Sequence, residues 1–493
     1  MKFFSTRSRE HTAQAAEAIL KGIAPDGGLY TPLDFDDMQV DVKALLTKSA
    51  VEISTEVIGK ILGDFSEDEM KKLIESAYAG KFETEEMTPV VQVGDDYILE
   101  LFRGPTSAFK DVALSVLPRL IVASREKLGV TDEVVILTAT SGDTGKAALE
   151  GFHDVEGTKI IVFYPDGGVS DVQKAQMVTQ EGSNVKVCAV RGNFDDAQTG
   201  VKNIFADDEA GHWAKASGAR LSSANSINIG RLAPQVAYYF KAYCDLVLRG
   251  AIALGDQVNF VVPTGNFGDI LAGEFARRMG LPVAKLICAS NANNVLTDFI
   301  RTGVYDRRRE FYKTNSPSMD ILVSSNLERY LFLAANGDDK LVASLMADLK
   351  EKGVYTVPEK ILDVMKEHFC AGCADDEDAL EAIGNVWLEH RYLMDTHTAV
   401  AWAALDEFKR TEDNGRVNVV LSTASPYKFS RDVLSAISDE ETDSGFGAMD
   451  ALKAATGVPV PEKLADLRGK QARFDDCIDK NAMLDYVKEA ISK

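Results

Sequence analysis

The sequence predicts an α/β protein with a parallel β-sheet region, a small helical region before it and helices after it. From about residue 88 onward, short runs rich in β-branched residues recur, and each run ends in a cluster of Gly, Ser, Thr or Asn. A helical pattern follows each cluster, which is typical of strands connected by crossover helices. The chain has 493 residues, which exceeds the size of a single hydrophobic core, so we expect two or three packed units.

The elements follow from these patterns in chain order. Residues 11–21 and 70–79 have helical patterns and residues 25–28 form a turn, so we expect an N-terminal domain of helices. Predicted strands cover residues 134–140, 159–164, 185–190, 258–262, 285–289 and 417–421. Predicted helices cover residues 109–127, 172–180, 195–205, 231–248 and 268–279, and the pattern is mainly helical from about residue 430.

Composition excludes several classes of protein. Lys and Arg number 54 against 76 Asp and Glu, and the net charge of -22 repels nucleic acid and anionic membranes. No window approaches 18 uninterrupted apolar residues, and the first residues lack the apolar core of a signal peptide. Six cysteines are too few for a disulfide framework in so long a chain. We therefore predict a cytoplasmic protein that binds neither nucleic acid nor membranes.

Cys370 and Cys373 are the only closely spaced cysteines, and His368 lies beside them. No second Cys or His pair stands at the spacing of a zinc finger, and a single C-x-x-C pair is a weak signal. We therefore favour two thiols at the end of a helix and expect no metal site.

Two glycine-rich turns after predicted strands are candidate phosphate sites. In residues 138–146, Gly142 and Gly145 allow close approach to the backbone. This turn is not a P-loop, because Thr140 and Ala147 stand where that motif needs Gly and Ser or Thr. A phosphate site and a plain helix-capping turn both remain open for it.

The second turn, residues 263–269, follows a strand and opens a helix, so its successive amides are placed to bind a phosphate. It lacks the G-x-G-x-x-G spacing of a dinucleotide fold, which argues against a nicotinamide oxidoreductase. We favour a phosphate site here over a structural turn. A third strand end, residues 422–426, is rich in hydroxyl groups, which by itself is more typical of a turn.

Lys110 is the candidate nucleophile. Residues 104–111 open the predicted helix 109–127, so Lys110 lies in the first turn, where the helix dipole disfavours an ammonium group. Such a lysine either extends to solvent or has a lowered pKa that frees the amine as a nucleophile and base. Together with a phosphate-binding turn, the second alternative indicates pyridoxal phosphate, with the lysine binding its aldehyde and the amides binding its phosphate.

Five segments, in the order GPTSAFKD, TATSGDTG, SSANSINIGR, VPTGNFGD and STASPYKF, resemble the threonine synthase family of fold-type II pyridoxal-phosphate enzymes. STR, PDGGLYTP, SSNLERYL and DTHTAVA extend the resemblance over most of the chain. It implies a tryptophan synthase β-like α/β fold with two open-sheet domains and an N-terminal helical domain. The implied units are an N-terminal domain (1–88), a catalytic region (89–430) with a small domain inserted at about 105–245, and a C-terminal helical layer packed on the large domain (431–493).

The resemblance also implies a reaction. O-phospho-L-homoserine would lose phosphate and gain water at Cβ to give L-threonine, while Lys110 binds pyridoxal phosphate and moves protons at Cα and Cβ. The cofactor-binding residues implied are Lys110, Asp143, Gly265, Asn266, Phe267, Asp269 and Thr423, with Thr423 beside the pyridine nitrogen. The substrate-binding residues implied are Ser141, Thr144, Asn225, Ser226, Asn228 and Arg231.

The substrate's phosphate needs a cation in a chain of strongly negative charge. Arg231 can supply a bidentate guanidinium, and Lys146 is a second, lower-ranked candidate. Without the resemblance, a solvent-exposed arginine at a helix start is an equal alternative for Arg231.

Two residues depart from the expected family pattern. Ser425 stands where we expect histidine, and Asp143 stands where many fold-type II enzymes have asparagine. Asp143 would therefore lie near either the cofactor's ring hydroxyl or the substrate carboxylate. His397 lies within the resemblance, and we expect it to be a structural histidine.

Two alternative functions remain. A phospho-lyase or β-replacement enzyme would use the same Lys110 on the same scaffold but release a 2-oxo acid or add another nucleophile. A non-catalytic protein that binds phosphorylated metabolites would need only the two glycine-rich turns, and the presence of Lys110 in its motif argues against it.

Overall fold

The computed structural model describes residues 2–140, 142–442 and 445–492. Its strands in chain order are β1 (Phe3–Ser5), β2 (Thr12–Ala13), β3 (Tyr30–Thr31), β4 (Val90–Val93), β5 (Asp96–Glu100), β6 (Glu133–Ala139), β7 (Thr158–Pro165), β8 (Val185–Arg191), β9 (Ala219–Ser222), β10 (Val258–Pro263), β11 (Val283–Ser290), β12 (Val304–Asp306), β13 (Val354–Thr356), β14 (Phe369–Cys373), β15 (Asn418–Ser422) and β16 (Cys477–Asp479).

Its α-helices in chain order are α1 (Ala15–Lys21), α2 (Val42–Leu45), α3 (Ala50–Ile61), α4 (Glu67–Tyr78), α5 (Lys110–Leu114), α6 (Leu117–Lys127), α7 (Asp143–Phe152), α8 (Asp171–Val178), α9 (Phe194–Ala206), α10 (Asp208–Ala216), α11 (Ile229–Leu248), α12 (Gly268–Arg278), α13 (Val295–Thr302), α14 (Leu327–Ala334), α15 (Asp339–Glu351), α16 (Glu359–His368), α17 (Asp376–His390), α18 (Thr396–Thr411), α19 (Ser430–Ser435), α20 (Gly445–Thr456), α21 (Glu462–Ala465) and α22 (Met483–Ser492). Within the described ranges, no helix is long and apolar enough to cross a membrane.

The N-terminal region contains the expected helices and also a small antiparallel sheet in the order β2-β1-β3. The sequence did not predict this sheet, because strands of two or three residues show no alternating pattern. Helix α1 consequently begins at Ala15 rather than at residue 11. Helices α3 and α4 each begin with a capping box, from Ser49 and Ser66, and α3 packs against α11.

The larger sheet has the strand order β14-β11-β10-β15-β5-β4, and all of its neighbouring pairs are parallel except β4 with β5. It is buried on both faces, as in other parallel sheets. Phe260 and Val262 of β10 join one hydrophobic core, whereas Val261 joins the other, which also contains residues of α17 to α20. This alternation explains why the strand is apolar at nearly every position.

The smaller sheet is parallel throughout, in the order β16-β8-β7-β6-β9. Its edge strand β16 comes from the C-terminal segment, and α22 packs beside α9. The structure departs from the expected purely helical C-terminal layer on the large domain, because β16 joins the smaller sheet and α22 shares a hydrophobic core with it. Helices α19 and α20 contribute to the core that contains Val261. An isolated three-residue edge strand carries too little pattern to be recognised.

Two further local predictions were wrong. The helix expected over residues 109–127 is divided into α5 and α6, with Pro118 in the first turn of α6, where its missing N–H costs nothing. Cys370 and Cys373 lie on β14 rather than at a helix end, and the Cys370 thiol lies 3.1 Å from a carboxylate oxygen of Glu412.

Candidate active site

The segment that leads into α5 is attached to the carboxyl end of β15. The backbone N–H of Phe109 donates to the carbonyl of Thr423 at 2.8 Å, and the N–H of Ser425 donates to the carbonyl of Ser107 at 3.1 Å. Because β15 is an interior strand of the large sheet, these bonds place the start of α5, and with it Lys110, at the carboxyl edge where parallel sheets bind ligands.

Lys110 is buried, and its Nζ lies 4.0 Å from Oδ2 of Asp143 and 3.4 Å from Oγ of Ser318. Burial lowers the pKa of Lys110 to about 8, with the positive charges of Lys428 and Arg231 acting in the same direction and Asp143 opposing them. The sequence left open whether Lys110 extends to solvent or has a lowered pKa, and in the structure it is buried and its pKa is lowered. A substantial fraction of this amine is neutral near pH 8, which nucleophilic chemistry requires.

The turn between β6 and α7 is shaped by Thr140, whose hydroxyl accepts hydrogen bonds from the N–H groups of Gly142 and Gly145, both at 2.9 Å. Gly142 has a φ of 139°, and a Cβ atom there would lie 2.3 Å from the side-chain amide of Gln173. Asp143, the first residue of α7, is buried, and its Oδ1 accepts from the side-chain amide of Gln173 at 2.9 Å. Ser141 lies outside the described residues, and Thr144 is half-buried in the same turn.

The turn between β10 and α12 has the features of a phosphate site. Phe267 adopts a left-handed conformation, with φ 59°, and the amides of Asn266, Phe267 and Gly268 find no acceptor in the part of the chain that the structure describes. The carbonyl of Asn266 accepts two hydrogen bonds from Asn326, both at 3.1 Å, which fixes the turn. Three adjacent amides at a helix start form a favourable anion site.

The side chains of this turn have different roles. The Phe267 ring is fully buried and stacks on Phe369 with centroids 5.8 Å apart, so Phe267 contributes its backbone to the turn and its ring to the core. Asp269 is also buried; its Oδ1 accepts from the N–H of Ile270 at 2.9 Å, and burial raises its pKa to about 6. Its carboxyl group is among the charges that act on Lys110.

Arg231 lies at the start of α11 and is buried. Its Nη1 donates to the carbonyl of Ala224 at 2.8 Å, but its Nε has no hydrogen-bond partner among the described residues. Burial lowers the pKa of Arg231 to about 10. An unpartnered buried guanidinium N–H is costly in a folded protein, and here it indicates a ligand acceptor.

The other residues of this segment are placed as follows. Asn228 caps α11, since its Oδ1 accepts from the N–H of Gly230, and its Nδ2 donates to the carbonyl of Ile19 at 2.9 Å. Ser226 lies beside Gly268, where a Cβ atom on the glycine would be 3.9 Å away. The backbone N–H of Asn225 donates to the hydroxyl of Ser223 at 3.2 Å.

The sequence also matches known protein families over most of its length. The family profile described as pyridoxal-phosphate dependent enzyme matches residues 88–423, and those for the threonine synthase N terminus and C terminus match residues 2–78 and 398–491. The chain is 37% identical to threonine synthase from Pseudomonas aeruginosa, covering 96% of this chain and 95% of that protein. The chain belongs to the threonine synthase family of pyridoxal-phosphate-dependent enzymes.

Two further likenesses support the family. The chain is 36% identical to human threonine synthase-like 1 over 97% of its own length and spans 66% of that protein, slightly less than two thirds. The crystal structure of pyridoxal-phosphate-bound threonine synthase from Brucella melitensis matches with a TM-score of 0.87 and 37% identity, covering 100% of both chains. The fold-type II prediction is thereby confirmed.

The residues present fit the family's cofactor. Lys110 offers a buried amine of lowered pKa for an aldehyde, and the free amides of the turn after β10 suit a phosphate. A Cβ atom on Gly265 would lie 2.7 Å from the Ser318 carbonyl, so the backbone is closely packed there. Thr423, which directly follows β15, is buried and carries an uncharged hydroxyl group.

The sequence analysis missed two residues that contact the site. Ser318, in a short 3₁₀ turn (Pro317–Met319), lies against both Lys110 and Gly265, and its backbone N–H donates to Nε2 of His397 at 3.1 Å. The expectation that His397 is structural agrees with its bonds to Ser318 and Asp395. No sequence pattern predicted Ser318, since its segment contains neither a strand nor a long helix.

The second missed residue is Lys428, which lies in the quoted STASPYKF segment and is completely buried against Asp143. Lys146, the lower-ranked candidate cation, instead lies 3.3 Å from Glu150 and also contacts Gln180. Both of its contacts are internal to the fold, which leaves Arg231 as the better candidate for an anion.

Proposed function

We propose that this protein is a threonine synthase that converts O-phospho-L-homoserine and water to L-threonine and phosphate by γ-elimination and β-addition of water. The observation that carries the proposal is the juxtaposition of a buried amine of lowered pKa, Lys110, with a buried guanidinium, Arg231, whose Nε has no hydrogen-bond partner within the described part of the chain. The first suits proton transfer at carbon, and the second suits a phosphate ester.

Pyridoxal phosphate, when bound, supplies an electron sink that acidifies the substrate's Cα. Lys110 then moves protons at Cα and Cβ, and the γ C–O bond breaks as phosphate leaves with its electron pair. Water gives its hydroxyl to Cβ, and a proton is delivered to Cγ, so that the sum of the reaction is ester plus water to threonine plus phosphate. Burial of Lys110 and Arg231 keeps bulk water away from these steps.

We assign roles to the remaining residues on the same basis. Gly265, Asn266, Phe267 and Asp269 would hold the cofactor phosphate or shape its turn, Thr423 would face the ring nitrogen, and Asp143 would face the ring hydroxyl or the substrate carboxylate. Ser141, Thr144, Asn225 and Ser226 would add neutral donors for substrate beside Arg231. Asn228 would act through the position it gives to Arg231, because its contacts are with Gly230 and Ile19.

We also propose the three-part organisation, with units at about residues 1–88, 89–430 and 431–493, and a cytoplasmic location. Two sheets with separate strand orders support an inserted small domain. Six free cysteines, four of them buried, support a reducing compartment. Fractionation of cells that express the full-length protein tests the location.

The test is to incubate purified, cofactor-loaded protein with O-phospho-L-homoserine and to identify the organic product alongside released phosphate. Equal amounts of threonine and phosphate are expected. A 2-oxo acid with equal phosphate would make the protein a phospho-lyase on the same scaffold, and no phosphate release would overturn the substrate assignment.

Lys110→Ala is the control. It removes the amine while leaving a residue that α5 tolerates, so we expect no covalently held cofactor and no threonine. Undiminished cofactor binding by this variant would favour a non-catalytic binding protein that uses the two glycine-rich turns alone.

A further inference from the structure

A second buried lysine shares the carboxylate that faces Lys110. Lys428 lies in a short 3₁₀ helix (Pro426–Phe429) directly after β15, and its side chain has no exposure to solvent. Its Nζ is 2.5 Å from Oδ1 of Asp143 and donates to the carbonyl of Thr106 at 3.2 Å. These two contacts engage two of the three N–H donors of the ammonium group, and its main partner is the Asp143 carboxylate.

The two oxygens of Asp143 have separate partners. Oδ1 contacts Lys428 and also accepts from the side-chain amide of Gln173 at 2.9 Å, whereas Oδ2 points toward Lys110 at 4.0 Å. Lys428 and Gln173 thus hold Oδ1 of the carboxylate in place, and Lys428 puts a positive charge beside it. Without Lys428, Asp143 would be free to form a full ion pair with Lys110.

We propose that Lys428 is a positioning residue that keeps Lys110 reactive: by pairing with Asp143, it prevents that carboxylate from trapping Lys110 as an ammonium ion. The inference rests on the proposed use of Lys110 as the residue that binds the cofactor. The Asp143–Lys428 pair is electrically neutral as a unit, so the carboxylate's charge is already balanced without Lys110.

The surrounding charges are consistent with this role. Burial would raise the pKa of Asp143, but the charges of Lys428 and Lys110 outweigh burial and hold that pKa below its usual range. Around Lys110 the charged groups are Asp143, Lys428, Arg231 and Asp269. Lys428 also acts on the buried Asp111, whose oxygens accept from the Thr106 N–H and hydroxyl at 2.8 and 2.6 Å.

The experiment measures the pH dependence of covalent attachment of pyridoxal phosphate to the cofactor-free protein, followed by absorbance, which requires no substrate. Attachment needs a neutral amine, so the rate should rise with pH through a midpoint near 8 in the unmodified protein. In Lys428→Met we expect the midpoint to rise by at least about one pH unit, which is a roughly tenfold slower attachment at pH 7. In Asp143→Asn/Lys428→Met, which removes both charges, the midpoint should return toward that of the unmodified protein.

The matched control is Lys241→Met. Lys241 is a buried lysine on α11 that pairs with Asp245 at 2.6 Å, so its loss removes a comparable ion pair some 15 Å along the helix from Arg231. We expect lower stability in this variant with no shift of the attachment midpoint. If Lys428→Met does not fold, Lys428→Gln retains a donor for Asp143 without the charge and carries the same expectation.

An unchanged midpoint in a folded Lys428 variant would overturn the proposal. Equal impairment of the single and double variants would overturn it as well, because it would assign Lys428 a purely structural role. A shifted midpoint in a protein that releases no phosphate from O-phospho-L-homoserine would support this inference while contradicting the proposed substrate.

Discussion

His397 holds the backbone of Ser318 next to Lys110. Nε2 of His397 accepts from the Ser318 N–H at 3.1 Å, while its Nδ1 lies 2.8 Å from Oδ2 of the buried Asp395. An acceptor at Nε2 assigns the proton to Nδ1, which donates to the carboxylate. The hydroxyl of Ser318 is then presented to Lys110 at 3.4 Å.

The variants Ser318→Ala and His397→Ala should distinguish the effect of the Ser318 hydroxyl on catalysis from the effect of His397 on stability. Ser318→Ala removes one hydrogen bond to Lys110 and should lower kcat by roughly tenfold, while the free energy of unfolding changes by less than about 0.5 kcal/mol. His397→Ala leaves the Ser318 N–H without its acceptor and removes one of several donors to the Asp395 carboxylate, so it should cost roughly 1 to 3 kcal/mol of stability. Kinetics and urea unfolding measure the two effects. Unaltered kinetics in Ser318→Ala would show that the hydroxyl takes no part in catalysis.

Gly265→Ala should weaken cofactor binding. The added Cβ would lie 2.7 Å from the Ser318 carbonyl, which is backbone and must move. We expect faster loss of pyridoxal phosphate, measured by absorbance on dilution, and a stability loss of about 1 to 3 kcal/mol. Gly211→Ala is the control, because Gly211 lies in α10 with no atom within 4 Å of an added Cβ. That substitution should be neutral or stabilise the helix by up to about 1 kcal/mol.

Asp269 makes the stability of the cofactor-free protein depend on pH. Its folded-state pKa is raised to about 6 by burial, so the folded protein binds this proton more tightly than the unfolded chain does. Its contribution is therefore fully present below the unfolded-state pKa and is lost as pH rises through about 6. Linkage gives a loss of about 2 kcal/mol between pH 4.5 and pH 7.

Urea unfolding of the unmodified protein and of Asp269→Asn at both pH values checks this. The difference in unfolding free energy between the two proteins should change by about 2 kcal/mol between the two pH values, because the asparagine side chain at position 269 does not titrate. A difference that stays constant would contradict the raised pKa of Asp269.

Arg231→Lys should affect substrate binding more than cofactor binding. Lysine retains the charge but not the planar, bidentate geometry, so we expect KM for the phosphorylated substrate to rise by about tenfold, with the cofactor's absorbance spectrum unchanged. Arg249→Lys, at an exposed residue after α11, is the control and should leave KM unaltered. An unchanged KM in Arg231→Lys would remove Arg231 from the phosphate site.

Arg329 should be critical for stability. It is fully buried, and its guanidinium donates to the carbonyls of Tyr30, at 2.9 Å, and Ile227, and to the side chain of Asn326. Arg329 thus links the N-terminal region to the segment before α11 and, through Asn326, to the turn after β10. Arg329→Met should cost roughly 3 kcal/mol or more, because three buried acceptors lose their donor. Arg249→Met, at an exposed position, should change stability by less than about 0.5 kcal/mol, and thermal unfolding distinguishes the two.

Much of the fold was predictable from local patterns. The predicted strands 134–140, 185–190 and 258–262 correspond to β6, β8 and β10, with their ends displaced by at most one residue. These strands are apolar because both faces of a parallel sheet are buried. Short elements such as β1, β2 and β16 were missed, since a strand of two or three residues depends on its neighbours for its hydrogen bonds.

The sequence by itself predicted which segments bear the chemistry: the lysine at the start of a helix, the glycine-containing turn after β10, and the arginine at the start of α11. Only the tertiary structure decided what surrounds them. Burial, which no local pattern reports, lowers the pKa of Lys110, and Nε of Arg231 has no hydrogen-bond partner among the residues that the structure describes. Ser318 and Lys428 are 208 and 318 positions from Lys110 in the chain, and they meet its site because chain crossovers bring distant strand ends to one edge of the sheet.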